Sequence, residues 1–207
     1  MSAQTKGHLR QRLRRARRNL GGTARRLAAL RATRRVAALP EFRRAQQLAL
    51  FLSADSEMDT APLLRLCTQQ GKRIYLPILR GDGNRLAFAP YTPGQRLRRN
   101  RYGIAEPVTA GPGLAPQRLD LALLPLVGFD SGGQRLGMGG GYYDRTFAFV
   151  RRHWRGRRPR LVGLAHEIQR APDIPTEPWD IVMDAVVTDT RVYRRSRKSR
   201  RGLNKQP

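Results

Sequence analysis

Apolar and polar positions recur along the chain with two different periods, and the switches between them mark its elements. In KGHLRQRLRRARRNLGG, Leu9, Leu13, Ala16 and Leu20 follow one another at spacings of four, three and four. That places them on one face of a helix, which Gly21 and Gly22 close. TARRLAALRATRRVAALPEF carries the same period through Leu27, Leu30 and Leu39 and predicts a second helix ending at Pro40. The apolar run QLALFLS then reads as a buried strand. A further helix follows in DTAPLLRLCTQQGK, with Asp59 or Thr60 at its N-cap, Pro62 in its first turn and Gly71 just past its end. RIYLPIL and RLAFAPY are two more strands.

Beyond a polar loop, LDLALLPLV is the most apolar run of the chain and is too short for most helices, so it reads as a central strand. YYDRTFAFVRRHW suits a helix with Phe147 and Val150 on one side, and RLVGLAHE and DAVVTDT complete the strands. Strands alternating with helices predict an α/β fold: a single-domain three-layer sandwich, with a mainly parallel open sheet flanked by helices in a Rossmann-like arrangement. In such sheets ligands sit beyond the carboxyl ends of the strands. RLGMGGGYYD, at 135–144, falls there, as a Gly-rich loop at the C-terminal end of a central strand.

Composition adds bounds. The 207 residues, 40% of them hydrophobic, suffice for one buried domain. No apolar run approaches the ~18 residues of a membrane span, and the basic N-terminus leads into alternating Leu and Arg instead of an apolar signal core, so a cytoplasmic protein is expected. Cys67 is the single cysteine, which excludes an intrachain disulfide and any cysteine-cluster metal site. The formal net charge of +26 raises a different question. Arginines concentrate at the N-terminus, in RRHWRGRRPR at 151–160 and in RVYRRSRKSRRGLNKQP from 191, which reads as a disordered tail after a domain spanning 1–190. Cations in such number neutralise phosphates, so a basic nucleic-acid-binding protein is a competing reading, beside a mere compositional bias toward Arg.

The glycine loop points elsewhere. The order strand, Gly-rich turn, helix offers backbone N–H groups to an anion. No Gly-Lys-Ser/Thr follows, so this is not a P-loop, and Tyr142 stands where G-x-G-x-x-G would place its last glycine. Arg135 suits phosphate oxygens, Tyr142 and Tyr143 suit stacking on a ring, and Asp144 suits a divalent cation that bridges phosphates. His8, His153 and His166 lack metal-ligand spacing, and Cys67, Trp154 and Trp179 read as packing or rim positions. No Ser-His-Asp or Cys-His arrangement is evident.

PLVGFDSGGQRLGMGGGYYDR resembles the signature of the 5-formyltetrahydrofolate cyclo-ligase family, roughly PLxxFDxxGxRLGxGxGYYDR. KGHLR, FLSADSEMDT, YGIAEP and IPTEPWDIVMDAVVTD are similar to other family segments in the same order, so the resemblance runs from about residue 6 to 189. It implies an ATP-dependent ligase that forms a C–N bond, closing 5-formyltetrahydrofolate to 5,10-methenyltetrahydrofolate in one-carbon metabolism. ATP phosphorylates the formyl oxygen, N10 attacks, and ADP and phosphate are released; such chemistry rests on positioning and charge neutralisation, with no protein nucleophile. The resemblance further implies ATP contacts at Lys6, Arg10, Arg135, Leu136, Gly137, Met138, Gly139, Gly140, Gly141, Tyr142 and Tyr143. It implies folate contacts at Leu52, Glu57, Met58 and Tyr102, joined by Met138, Gly139, Gly140, Gly141 and Tyr142, and Mg²⁺ at Asp144 and Asp180. A carboxylate at Glu57 complements the pterin's amino and ring N–H groups. Tyr102 stands where some members have Trp. Met138 and Gly140 stand where some have basic residues, so the backbone or other side chains must serve there. The two substrates are the expected partners of a monomer, with at most weak, non-specific nucleic-acid contact through the basic surface and tail. By residue type alone, Lys6 and Arg10 suit a solvated helix face, and Asp180 and Glu57 suit turn or helix caps.

Overall fold

The computed structural model describes residues 3–79, 84–109, 111, 113–151 and 159–195. In chain order the elements are α1 (Ala3–Arg18), α2 (Gly22–Ala38), α3 (Pro40–Arg44), β1 (Gln47–Ala49), α4 (Ala61–Gln69), β2 (Arg73–Leu79) and β3 (Leu86–Tyr91). Then come β4 (Leu97–Arg99), β5 (Ala105–Pro107), β6 (Leu121–Pro125), β7 (Gly128–Phe129), β8 (Arg135–Leu136), α5 (Tyr142–Thr146), β9 (Arg160–Leu164), β10 (Ala185–Val187) and β11 (Val192–Arg194). Seven strands form one sheet in the order β11-β10-β9-β6-β1-β2-β3, so the most apolar run of the sequence lies at its centre. The inner pairs are parallel, and only the edge strands β3 and β11 run antiparallel to their neighbours.

Both faces of β6 are buried, which is why it shows no polar alternation. Leu121 and Leu123 join Leu48, Leu50, Ile74 and Val162 beneath α2, α3 and α4. Ala122 and Leu124 turn to the opposite face, where Phe88, Phe129, Phe147 and Ile181 cover the sheet. A smaller cluster of Leu13, Val127, Leu136, Ala171 and Ile174 seats α1 on the β7–β8 hairpin. A Cβ on Gly128 would collide with the Leu13 side chain, so glycine there lets the helix sit directly on the strand.

Several expectations need correction. The buried face of α2 is Ala28, Ala29, Ala32 and Val36, whereas Leu27 and Leu30 are 48% and 47% exposed. Small side chains let this helix lie close to the sheet, so alanines outrank leucines as the inward stripe. Pro40 ends α2 and also opens α3, where its missing N–H is harmless. The helix expected over YYDRTFAFVRRHW is one short turn, α5, followed by a 3-10 turn at Ala148–Arg151. Residues 152–158, including His153 and Trp154, lie outside the described residues. The tail expected to start at 191 begins instead with β11: Tyr193 packs on Phe129 with ring centroids 5.3 Å apart, its hydroxyl bonds Glu167, and Arg194 pairs with Glu41 at 2.7 Å. An aromatic and two paired charges therefore hold a segment whose basic composition suggested solvent. Residues 196–207 are outside the described set.

Candidate active site

Beyond the carboxyl ends of β1, β2 and β6 lies a cavity of about 1140 Å³. Phe51 and Leu52 following β1, Leu76 and Pro77 of β2, and Pro125 to Val127 at the end of β6 form its floor. Lys6, Arg10 and Arg14 of α1, the glycine loop at 137–141 and the turn between β4 and β5 form its walls. Single-ligand pockets measure ~300–1,000 Å³, so this cavity has room for more than one substrate.

One wall is built from charge. The loop leaves β8, which follows the central strand through the β7–β8 hairpin, and enters α5 with Gly139 and Gly141 at φ 106° and 64°. Both angles are closed to most side chains. Because α5 has only five residues, its dipole adds little, and an anion would be met by loop N–H groups and neighbouring cations. Arg10 Nε donates to the Gly137 carbonyl at 2.8 Å. Lys6 Nζ pairs with Asp180 at 3.2 Å and with Glu177 at 3.7 Å. Arg135 Nη2 donates to Asp144 Oδ1 at 2.5 Å, and the same oxygen accepts the N–H of Ile181 at 3.1 Å. Two cations expected at phosphates and two carboxylates expected at a metal thus neutralise one another on adjoining segments.

Among the described residues no group of three His, Cys, Asp or Glu side chains is gathered for a metal ion. Mg²⁺ does not require one, since it is held through one or two carboxylates together with substrate phosphates and water. Asp144 and Asp180 are hard oxygen donors on the same cavity wall and match that pattern.

The opposite wall is mostly apolar around one carboxyl group. Burial pushes Glu57 up to about 7, against the bond its Oε2 accepts from the Ala54 N–H at 3.1 Å. Glu57 caps no helix: the first N–H of α4, from Ala61, goes to Asp59 Oδ1 at 2.9 Å, and the Thr60 hydroxyl turns away to the Phe51 carbonyl. Leu52 and Tyr102 line the cavity with it. Met58 does not; at 1% exposure it belongs to the core below, so its expected folate contact is replaced by packing beneath that wall.

Several residues at the site carried no signal in the sequence. Asp55 accepts bonds from Arg14 and Arg17 at 2.9 Å each and from Arg18 at 2.5 Å. Burial opposes ionisation of Asp55, yet the bonds from Arg18 and Arg14 hold its carboxyl below the usual carboxylate range. Arg17 is 0% exposed, and burial lowers its guanidinium from the ordinary value. The clamp holds Asp55 and Ser56 at φ 47° and 61°, a left-handed pair without glycine that aims Glu57 at the cavity. Across the mouth, the Tyr102 and Tyr142 hydroxyls meet at 2.9 Å, and Arg101 Nη2 donates to Tyr142 at 2.6 Å. Those bonds from Tyr102 and Arg101 pull the Tyr142 phenol below its usual value. Trp179 stands exposed on the cavity rim, Cys67 is buried in the core, and His166 is buried with its imidazole lowered by burial. Much of the arginine of α1 is thereby tied to the chain itself instead of being free for a polyanion.

The model of the 5-formyltetrahydrofolate cyclo-ligase family matches residues 2–189. A 5-formyltetrahydrofolate cyclo-ligase of Escherichia coli K12 is 43% identical over 165 residues, covering 78% of this chain and 88% of that protein. The cyclo-ligase of Haemophilus influenzae is 36% identical over 183 residues, covering 87% and 96%. The 5,10-methenyltetrahydrofolate synthetase structure from Aquifex aeolicus superposes with a TM-score of 0.76 at 31% identity, covering 92% of each chain. These relatives lend no support to the nucleic-acid reading. Sheet order, a two-sided cavity and a match from the first helix to β10 agree with one another, and the chain belongs to the 5-formyltetrahydrofolate cyclo-ligase family.

Proposed function

We propose that this chain closes 5-formyltetrahydrofolate to 5,10-methenyltetrahydrofolate at the expense of ATP, with the cavity wall of α1 and the glycine loop receiving the nucleotide and the Glu57 wall receiving the pterin. The observation that carries this reading is one cavity of about 1140 Å³ with a cationic, glycine-lined side facing a half-buried carboxyl group. Family membership supplies the substrate class. The formyl oxygen is amide-like and leaves poorly, so it takes the γ-phosphoryl group first, and ADP departs. N10 then attacks the activated carbon, a C–N bond forms, phosphate leaves with the former formyl oxygen, and N10 gives up its proton.

Lys6, Arg10 and Arg135 hold and neutralise the phosphates, and the loop N–H groups from Gly137 to Gly141 orient them. Ionised Glu57 accepts the pterin N–H bonds and fixes the formyl group toward the nucleotide. Asp144 and Asp180 are the residues that would hold Mg²⁺, which would supply charge neutralisation at the nucleotide's phosphates when bound. Ligand binding then exchanges the internal pairs of Lys6 and Arg135 for pairs with phosphate. Among the described residues no helix is long and apolar enough to cross a membrane. The decisive measurement incubates the folded protein with 5-formyltetrahydrofolate and Mg·ATP. The near-ultraviolet absorbance of the methenyl product should rise in step with ADP, and a flat trace from well-folded protein would reject the reading.

A further inference from the structure

The glycine loop brings no cation of its own, because Met138 and Gly140 occupy its middle. A guanidinium nevertheless reaches it from α5, the helix that the loop enters. Arg145 folds back so that Nη2 donates to the Gly140 carbonyl at 2.6 Å, while Nε donates to the Asn84 carbonyl, also at 2.6 Å. Its guanidinium lies over the Tyr142 ring, 5.2 Å from the centroid. A Cβ on Gly141 would come within 2.5 Å of Nη1 and displace this guanidinium, and the φ of 64° at Gly141 itself favours glycine.

We propose that Arg145 is a positioning residue that holds the glycine loop in its anion-receiving shape; the inference rests on the reading of this wall as the nucleotide side. A segment with four glycines in five positions loses more conformational freedom on ordering than any other sequence would. Something outside the segment must therefore fix its peptide planes. Each trans peptide is planar, with C=O and the following N–H pointing in opposite directions. Binding the Gly140 carbonyl to Arg145 thus turns the Gly141 N–H away from it, and Arg10 does the same for the Met138 N–H through Gly137. The loop is pinned at both ends by guanidinium groups. Arg145 lines the cavity as Arg10 does, but it spends both Nε and Nη2 on carbonyls and one face on Tyr142, with Nη1 against Gly141. Arg10 commits only Nε to the loop, so Arg145 has fewer donors left for a phosphate.

This assignment is tested by steady-state kinetics and nucleotide-binding calorimetry on Arg145→Met, which keeps the stem and removes the fork. A loop that must order only when nucleotide arrives weakens ground state and transition state equally. The expected result is a rise of about tenfold in KM for ATP and in the calorimetric Kd for ATP, with kcat within about twofold and KM for 5-formyltetrahydrofolate unchanged. Arg145→Lys, with one donor and no fork, should recover only part of the loss. If the Met variant does not fold, Arg145→Gln, which keeps an N–H donor, should show the same selective rise in KM for ATP. An unchanged KM for ATP, a fall in kcat alone, or an equal rise in both KM values overturns the proposal. Wild-type protein that makes no methenyl product would instead overturn the functional reading, so the two failures are distinguishable.

Discussion

The two walls of the cavity solve opposite electrostatic problems. On the α1 and glycine-loop wall every expected charge already has a partner: Lys6 has Asp180, Arg135 has Asp144, and Arg10 has a loop carbonyl. On the other wall Glu57 stands in apolar surroundings and answers burial by keeping its proton up to about 7. The difference suits what the proposed function has each side receive. A triphosphate brings its own charge and can replace internal counter-ions, whereas a neutral pterin brings only N–H groups and suits an acceptor that no cation pairs directly; Glu57 has one backbone N–H, from Ala54.

The sharpest way to break this contrast is Asp144→Asn, which removes a charge from the paired wall and keeps its shape. Loss of the carboxylate proposed to hold the metal should lower kcat/KM on the order of 10²- to 10³-fold in the methenyl-forming assay. It also leaves the half-buried pair one-sided, so denaturant unfolding should register a loss of ~2 kcal/mol. Activity within twofold of wild type would remove Asp144 from the metal site.

Glu57→Gln tests the other wall and should have a smaller effect, about tenfold in KM for 5-formyltetrahydrofolate, with KM for ATP little changed. The ionised group is the acceptor, so kcat/KM for the folate should rise as pH rises through about 7, and the Gln variant should lose that inflection. Stability must run the other way. The folded value of about 7 lies above the ordinary 4.5, so the stabilising contribution of this proton is complete below about 4.5 and disappears as pH rises to about 7. A Gln variant that keeps the wild-type slope of stability across this window would refute the burial argument.

The smallest effect belongs to the place where the walls meet. Tyr102→Phe removes one hydroxyl from the 2.9 Å bridge to Tyr142 and keeps the ring. Kinetic constants should shift by no more than about threefold, because an exposed hydrogen bond is easily replaced by water. A loss comparable to that of Glu57→Gln would show that the bridge, and not the ring, governs folate binding.

What the sequence conveyed divides along similar lines. The glycine loop was legible from its own residues, whereas Lys6, Arg10 and Glu57 were reached only through the family resemblance, since by residue type they suit a solvated helix face and a cap. The central strand was legible because a run buried on both faces has no polar positions. Arg145 and Arg101 were not, since their meaning depends on carbonyls and hydroxyls 61, 5 and 41 positions away. Nor was the Asp55 clamp, where one carboxylate gathers arginines 41, 38 and 37 positions distant. The inward face of α2 was misread because periodicity weighs leucine above alanine, while close approach to a sheet favours the smaller residue. β4, β5, β7, β8 and β11 are two or three residues long, too short for any period to emerge.

The pair between Lys6 and Asp180 joins positions 174 apart. During synthesis Lys6 leaves the ribosome 174 residues ahead of its partner. The helix that carries Lys6 must therefore wait for the intervening sheet and loops before the segment that completes its side of the cavity emerges. Fragments ending before residue 180 would carry the glycine loop with Lys6, Arg10 and Arg135 yet lack the carboxylate that pairs Lys6, so this wall of the cavity is closed only when that segment arrives.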